Sequence, residues 1–168
     1  MKHNIVRINK IVLNNFKNVK KGIVEMPAYS GKELFSEKAD VLGLYGQNGS
    51  GKTSVVEALR FVKTLLSGEK LPADAKEYIA QGEEECEIDV SFSVAEEVQK
   101  ETVNYSVALK KDADGFVISH ERMTVVPRKE SIRAVESTLI DYQYDNEDVT
   151  FAPEYRYKKL VANDKKVR

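Results

Sequence analysis

A chain of 168 residues with 42% hydrophobic and 32% charged side chains is of the ordinary soluble kind and long enough to bury a core, with one domain as the first expectation. Its 26 basic and 27 acidic residues leave a net charge of −1, so no overall basic field marks it for nucleic acid and any such contact needs a local patch. A single cysteine, Cys86, excludes an intrachain disulfide framework and fits a reducing compartment. The opening MKHNIVRINKIVL lacks the continuous apolar stretch of a signal peptide, and no run approaches the roughly 18 apolar residues of a membrane span. The expected location is cytoplasmic, with no membrane partner.

In chain order, residues 5–16 (IVRINKIVLNNF) are rich in β-branched side chains and predict a strand. Gly22 to Met26 predicts a second, stopped by Pro27, the two pairing as a hairpin across Lys17 to Lys21. Residues 28–40 are polar and read as a loop, and the short apolar run ADVLGLY at 39–45 predicts a buried strand leading into a glycine-rich loop. In KTSVVEALRFVKTLLSG, Val55, Ala58, Leu59, Val62, Leu65 and Leu66 share one helical face, and Gly68 supplies the stop. CEIDVSFSV (86–94) alternates cleanly, with Cys86 and Ile88 on the core side and Asp89 on the wet side. VNYSVAL (103–109) repeats the pattern, KKDADG turns, and FVISHERMTVV (116–126) returns, ending at Pro127. Residues 131–140 fit a helix or a strand equally, and ANDKKVR is a polar tail. The expected organisation is a P-loop unit over about 1–68, an antiparallel β-subdomain over about 86–126, and an unassigned segment over 127–168.

The loop carries the chemistry. Gly46-Gln47-Asn48-Gly49-Ser50-Gly51-Lys52-Thr53 matches G-x-x-x-x-G-K-[ST]. Its glycines let the backbone curl with N–H groups turned inward, a nest for phosphate oxygens. The helix that starts near Lys52 adds its positive end. Lys52 is placed to reach the β- and γ-phosphates and Thr53 to offer its hydroxyl to Mg²⁺. The expected ligand is therefore a nucleotide's phosphates with Mg²⁺, held by Gly46, Asn48, Gly49, Ser50, Gly51, Lys52, Thr53 and Ser54; kinases, GTPases and motor ATPases share such a loop, so the loop alone does not name the nucleotide or the reaction.

Taken with what precedes it, INKIVLNNFKNVKKGIVEM…VLGLYGQNGSGKTSVVEALRFVKTLL resembles the N-terminal half of an ABC-type ATPase head of the SMC/RecF/OLD group of AAA-type ATPases. The likeness rests on Asn15-Phe16-Lys17 at the end of the first strand, the GxNGSGKT loop, Glu57-Ala58 in the helix, and Ile79-Ala80-Gln81-Gly82 leading to Glu87 through Phe92. It is tight over residues 8–68 and looser to about 126. It implies an α/β P-loop fold and an ATP-driven head-to-head dimer. In such heads Walker B acids hold Mg²⁺ and orient water, and the parents act on DNA in repair, in chromosome organisation, or with effectors in phage defence. It also places Phe16 to Val19 near the base and ribose, with Lys17 and Asn18 as the binding residues. A glutamine of the family's inter-lobe loop, matched here to Gln143 or, less well, Gln81, would contact Mg²⁺ and the attacking water.

The family's second half is not visible. The nearest approach to an apolar strand ending in two acids is STLIDY, with Asp141 alone, and LLSGEK ends the first helix rather than forming a signature motif. The chain thus reads as one lobe of a larger protein, a weak enzyme by itself. Two other readings stay open: a self-contained P-loop kinase or other phosphotransferase, and a non-enzymatic module that binds nucleotide to stabilise an interaction surface. His3, His120 and Cys86 lack the spacing of a zinc site. Tyr142, Tyr144, Tyr155 and Tyr157 read as sheet residues in an acidic setting rather than base-stacking ones.

Overall fold

In the computed structural model the described residues are 5–27, 41–72, 74–96, 99–113, 115–128, 135–144 and 149–151. They build one seven-stranded sheet, β1 (Ile5–Phe16), β2 (Val19–Glu25), β3 (Glu85–Glu96), β4 (Gln99–Asp112), β5 (Gly115–Pro127), β6 (Ser137–Gln143) and β7 (Val149–Phe151). Their order across the sheet is β2-β1-β3-β4-β5-β6-β7, and each neighbouring pair is antiparallel. The alternating segments form these strands because antiparallel pairing lets one face pack and the other meet water. One face aligns Ile11, Leu13, Ile88, Val90, Tyr105, Val107 and Leu109, all buried. The other carries Lys10, Asp89, Ser91, Asn104, Ser106 and Arg122.

A 15-residue helix, α1 (Lys52–Leu66), lies on the apolar face and buries Ser54, Ala58, Phe61 and Val62. Its buried stripe follows i, i+4, i+7 spacing from Ser54, rotated from the expected one. Phe61 therefore enters the core, whereas Leu66 is exposed. The helix ends as expected at Gly68 (φ 66°): Gly68 N–H donates to Leu65 O at 2.9 Å and Glu69 N–H to Thr64 O at 3.0 Å, the paired bonds of a Schellman stop. A 3-10 turn at Ala75–Tyr78 then straps the end of β1. Phe16, fully buried, stacks on Tyr78 with ring centroids 5.3 Å apart, and Phe61 meets the same ring edge-on at 5.5 Å.

The structure departs from the sequence expectations in these places. The α/β expectation holds only in part, because the described residues carry a single α-helix over a wholly antiparallel sheet. The expected strand before the loop is absent over the described residues 41–45, and Val41 and Tyr45 are 88% and 94% exposed. A strand exists through its ladder hydrogen bonds, and among the described strands none runs beside this segment. The strands of residues 86–126 continue the sheet of the N-terminal hairpin, because β1 pairs with β3 from Ile5↔Ala95 to Asn14↔Glu87. Residues 137–143 of the undecided region form β6.

Candidate functional site

The loop from Gly46 to Gly51 joins the exposed segment to α1. Gly49 (φ 84°) and Gly51 (φ 87°) occupy the left-handed region that favours glycine. At Gly51 there is a second constraint: a Cβ would stand 2.5 Å from Val19 Cγ2. Gly51 is also the residue before the helix. No side chain caps that end, and no acidic residue occupies the first turn. The leading N–H groups and the positive end of the helix dipole are thus left for an anion.

Lys52 folds back over the loop. Its Nζ donates to Gly46 O and Gln47 O, both at 2.7 Å, and to Ser50 Oγ at 3.3 Å. Ser50 N–H donates to Gln47 O at 3.2 Å, closing a turn at the loop's apex. Asn48 and Thr53 are exposed, and Thr53 sits in the first helical turn beside the lysine. The donor set, with one ammonium group, free helix N–H groups and a hydroxyl, suits a phosphate-bound Mg²⁺. Ser54 differs from the other loop residues. It is buried, and its Oγ donates to Asn18 Oδ1 at 2.6 Å.

Lys17 and Asn18 form the two-residue turn of the β1–β2 hairpin, closed by the pair Phe16↔Val19. Asn18 Nδ2 donates to Gly49 O, so this amide bridges the loop and the helix. Lys17, at φ 53°, donates its backbone N–H to Tyr78 O at 2.7 Å. Its ammonium lies 2.7 Å from Glu57 Oε2 and 5.7 Å from the centre of the Tyr78 ring. The structure therefore brings both hairpin residues to the loop region, with Lys17 engaged by the helix and Asn18 by the loop.

Gln143 is not brought there. β6 lies four strand spacings from β1 in the sheet order, about 19 Å. Gln143 pairs with His120 on the polar face, opposite α1. Asp141 shares that face, 3.7 Å from His120 Nε2. Distance along the chain suggested proximity to the loop; the sheet order carries β6 away from it. Gln81 is exposed just after Ala80, whose N–H donates to Asn15 O at 2.8 Å. An open cavity of about 360 Å³ also lies on the polar face, lined in part by Lys10, Asp89, Ser106, Arg122 and Glu136, and shares no residue with the loop. Among the described residues no group of three or more His, Cys, Asp or Glu side chains could hold a metal. Tyr142 is half-buried and Tyr144 exposed; Tyr155 and Tyr157 lie outside the described residues, as does His3.

A family model described as "AAA domain, putative AbiEii toxin, Type IV TA system" matches residues 41–163. The chain belongs to this AAA family. No curated protein matches it. The match begins at Val41, immediately before the loop, and takes in α1 and all of β3 to β7. As an AAA-family domain the chain is a P-loop ATPase-type nucleotide-binding domain, a class that implies nucleotide and usually Mg²⁺. Among the described residues no helix is long and apolar enough to cross a membrane.

The sequence reading missed Tyr78 as part of this site, and it set Val19 near the base and ribose rather than against Gly51. Val19 carries no polar signal, and its role is steric. Tyr78 is distant in sequence, and only the aromatic pairing with Phe16 links it to the hairpin.

Proposed function

We propose that this chain is the ATP-binding lobe of an SMC/RecF/OLD-like ATPase head, with Mg²⁺-ATP held by Gly46 to Ser54. The observation that carries this reading is the arrangement around Lys52. Its ammonium group rests on two loop carbonyls beside an uncapped helix start without acidic residues. Those carbonyls hold the charge over the loop, where it would neutralise phosphate oxygens. Lys52 would thereby serve both binding and transfer. Thr53 would give its hydroxyl to Mg²⁺, which draws charge from the phosphates when bound. Asn48, Ser50 and the glycines would contribute backbone and side-chain donors.

Hydrolysis also requires carboxylates that position Mg²⁺ and water. In our reading these come from outside the described residues, and two heads meet to complete the site. The exposed apolar run at 41–45 supports this, since it has the composition of a core strand and no ladder partner among the described strands. The parent protein would couple ATP hydrolysis to DNA repair, DNA processing or phage defence, through DNA or an effector protein. The toxin in the family's description favours the defence role.

Titration calorimetry with ATP and Mg²⁺, on the wild-type chain and Lys52→Ala, tests the reading. Phosphate release is followed in parallel. Binding that falls at least tenfold in Lys52→Ala, without turnover, is the expected result; a tenfold loss corresponds to about 1.4 kcal/mol. Equal binding by both proteins would remove the loop from the site. Brisk Lys52-dependent turnover would mean that the chain holds its own carboxylates.

A further inference from the structure

We propose that Asn18 is the positioning residue of the phosphate loop, fixing its shape from the β1–β2 hairpin rather than touching the nucleotide. The proposal rests on the nucleotide reading above. One amide side chain joins two points that bracket the functional part of the loop. Its Nδ2 donates to Gly49 O at the apex, and its Oδ1 accepts from Ser54 Oγ in the first turn of α1. Gly51, Lys52 and Thr53 lie between them. A peptide's C=O and N–H are rigidly opposed, so holding Gly49 O sets the whole Gly49–Ser50 peptide plane. Gly49 is otherwise free to turn: it is a glycine with φ 84°, and a Cβ there would meet nothing within 4 Å.

The geometry also says why this residue can act as a strut. Asn18 is exposed, but the turn that carries it is anchored on both sides. Phe16, two residues earlier, is fully buried and stacked on Tyr78. Lys17 between them is held by a backbone bond to Tyr78 O and by its ion pair with Glu57. Val19 follows, pairing with Phe16 and lying against Gly51. Asparagine alone among short side chains offers a donor and an acceptor on separate atoms, which both bonds require. The Ser54 hydroxyl is spent on this bridge, so its contribution to binding passes through Asn18.

The test is binding of a fluorescent methylanthraniloyl ATP analogue with Mg²⁺ by the full chain and its variants. Melting without nucleotide and hydrogen exchange of the Gly49–Ser54 amides accompany it. Asn18→Ala is expected to weaken binding about fivefold to tenfold, to speed exchange of those amides, and to move the nucleotide-free melting temperature by no more than about 2 °C. Asn18→Asp keeps the acceptor, loses the donor and adds a negative charge near the phosphates, so it should bind no better than Asn18→Ala. Adding Ser54→Ala to Asn18→Ala should cost little more than Asn18→Ala alone. Wild-type affinity in Asn18→Ala, with binding lost in Lys52→Ala, would overturn the proposal and leave the nucleotide reading standing. If the wild-type chain shows no Lys52-dependent binding, the nucleotide reading fails. The exchange data then decide the strut: unchanged amides in Asn18→Ala overturn it, and faster exchange sustains it.

Discussion

Val19 and Gly51 are in contact so close that a single added carbon on Gly51 would stand 2.5 Å from Val19 Cγ2. One residue opens β2 and the other precedes α1, so the hairpin gauges the loop sterically as well as through hydrogen bonds. Gly51→Ala therefore meets two penalties. A left-handed φ costs an alanine about 1–2 kcal/mol, and the overpacking adds about 1–3 kcal/mol. The variant should be destabilised by the sum in urea unfolding. Combining it with Val19→Ala should recover the steric part only, leaving about 1–2 kcal/mol in the double-mutant comparison.

Phe61 and Phe16 converge on Tyr78 from the helix and from the end of β1. Phe61 is 2% exposed, and its removal leaves a cavity between α1 and the sheet. Phe61→Ala is expected to cost about 3–5 kcal/mol, a large share of the roughly 5–15 kcal/mol of a typical domain. Leu66→Ala, at an exposed position on the same helix, should stay within about 0.5 kcal/mol. Denaturation midpoints for the two variants check both the size of the effect and the rotation of the helix.

Cys86 lies in β3 against the core, and burial pushes its thiol up to about 12. Neighbouring Glu85 pushes the same way, and a backbone hydrogen bond with Leu109 opposes them. The thiolate is the reactive form. At pH 8 the folded chain should therefore resist a disulfide reagent such as Ellman's for as long as it stays folded, and react promptly in denaturant. Rapid labelling of the native chain would contradict this placement of β3.

Much of the sheet was legible because its signals are local. Alternation between Cys86 and Val94 dictates a half-wet strand, and it is observed with Cys86 and Ile88 inward and Asp89 outward. Gly68 stops α1 through its own φ. Pairing between distant segments leaves no local trace. Nothing in residues 5–16 says that they lie beside 85–96, and an apolar run such as 41–45 does not reveal whether a partner strand stands next to it. The same limit moved Gln143: its distance along the chain from Lys52 was readable, but its place four strands from β1 was not. At the loop, the glycine spacing pointed to the proposed phosphate site, while the proposed strut from Asn18 depends on how the hairpin packs.

Asp89 offers a prediction in pH. It sits half-buried on the polar face, and burial raises its carboxyl above the usual range. A hydrogen bond with Ser106 opposes that shift, Glu87 adds to it, and His120 opposes it. The folded state thus binds the proton more tightly than the unfolded state. Between the unfolded and folded pKa values the native chain carries more protons, so stability falls as pH rises through this window. Above the window the charged, partly desolvated carboxylate is a standing cost. Asp89→Asn removes the charge and keeps an oxygen that can accept from Ser106. It should melt higher than the wild type at pH 7. The advantage should shrink on acidification and disappear below about pH 3.9, where the carboxyl is protonated in both states. An unchanged melting temperature at pH 7, or a gain that persists at pH 3, would show that burial does not govern this carboxylate.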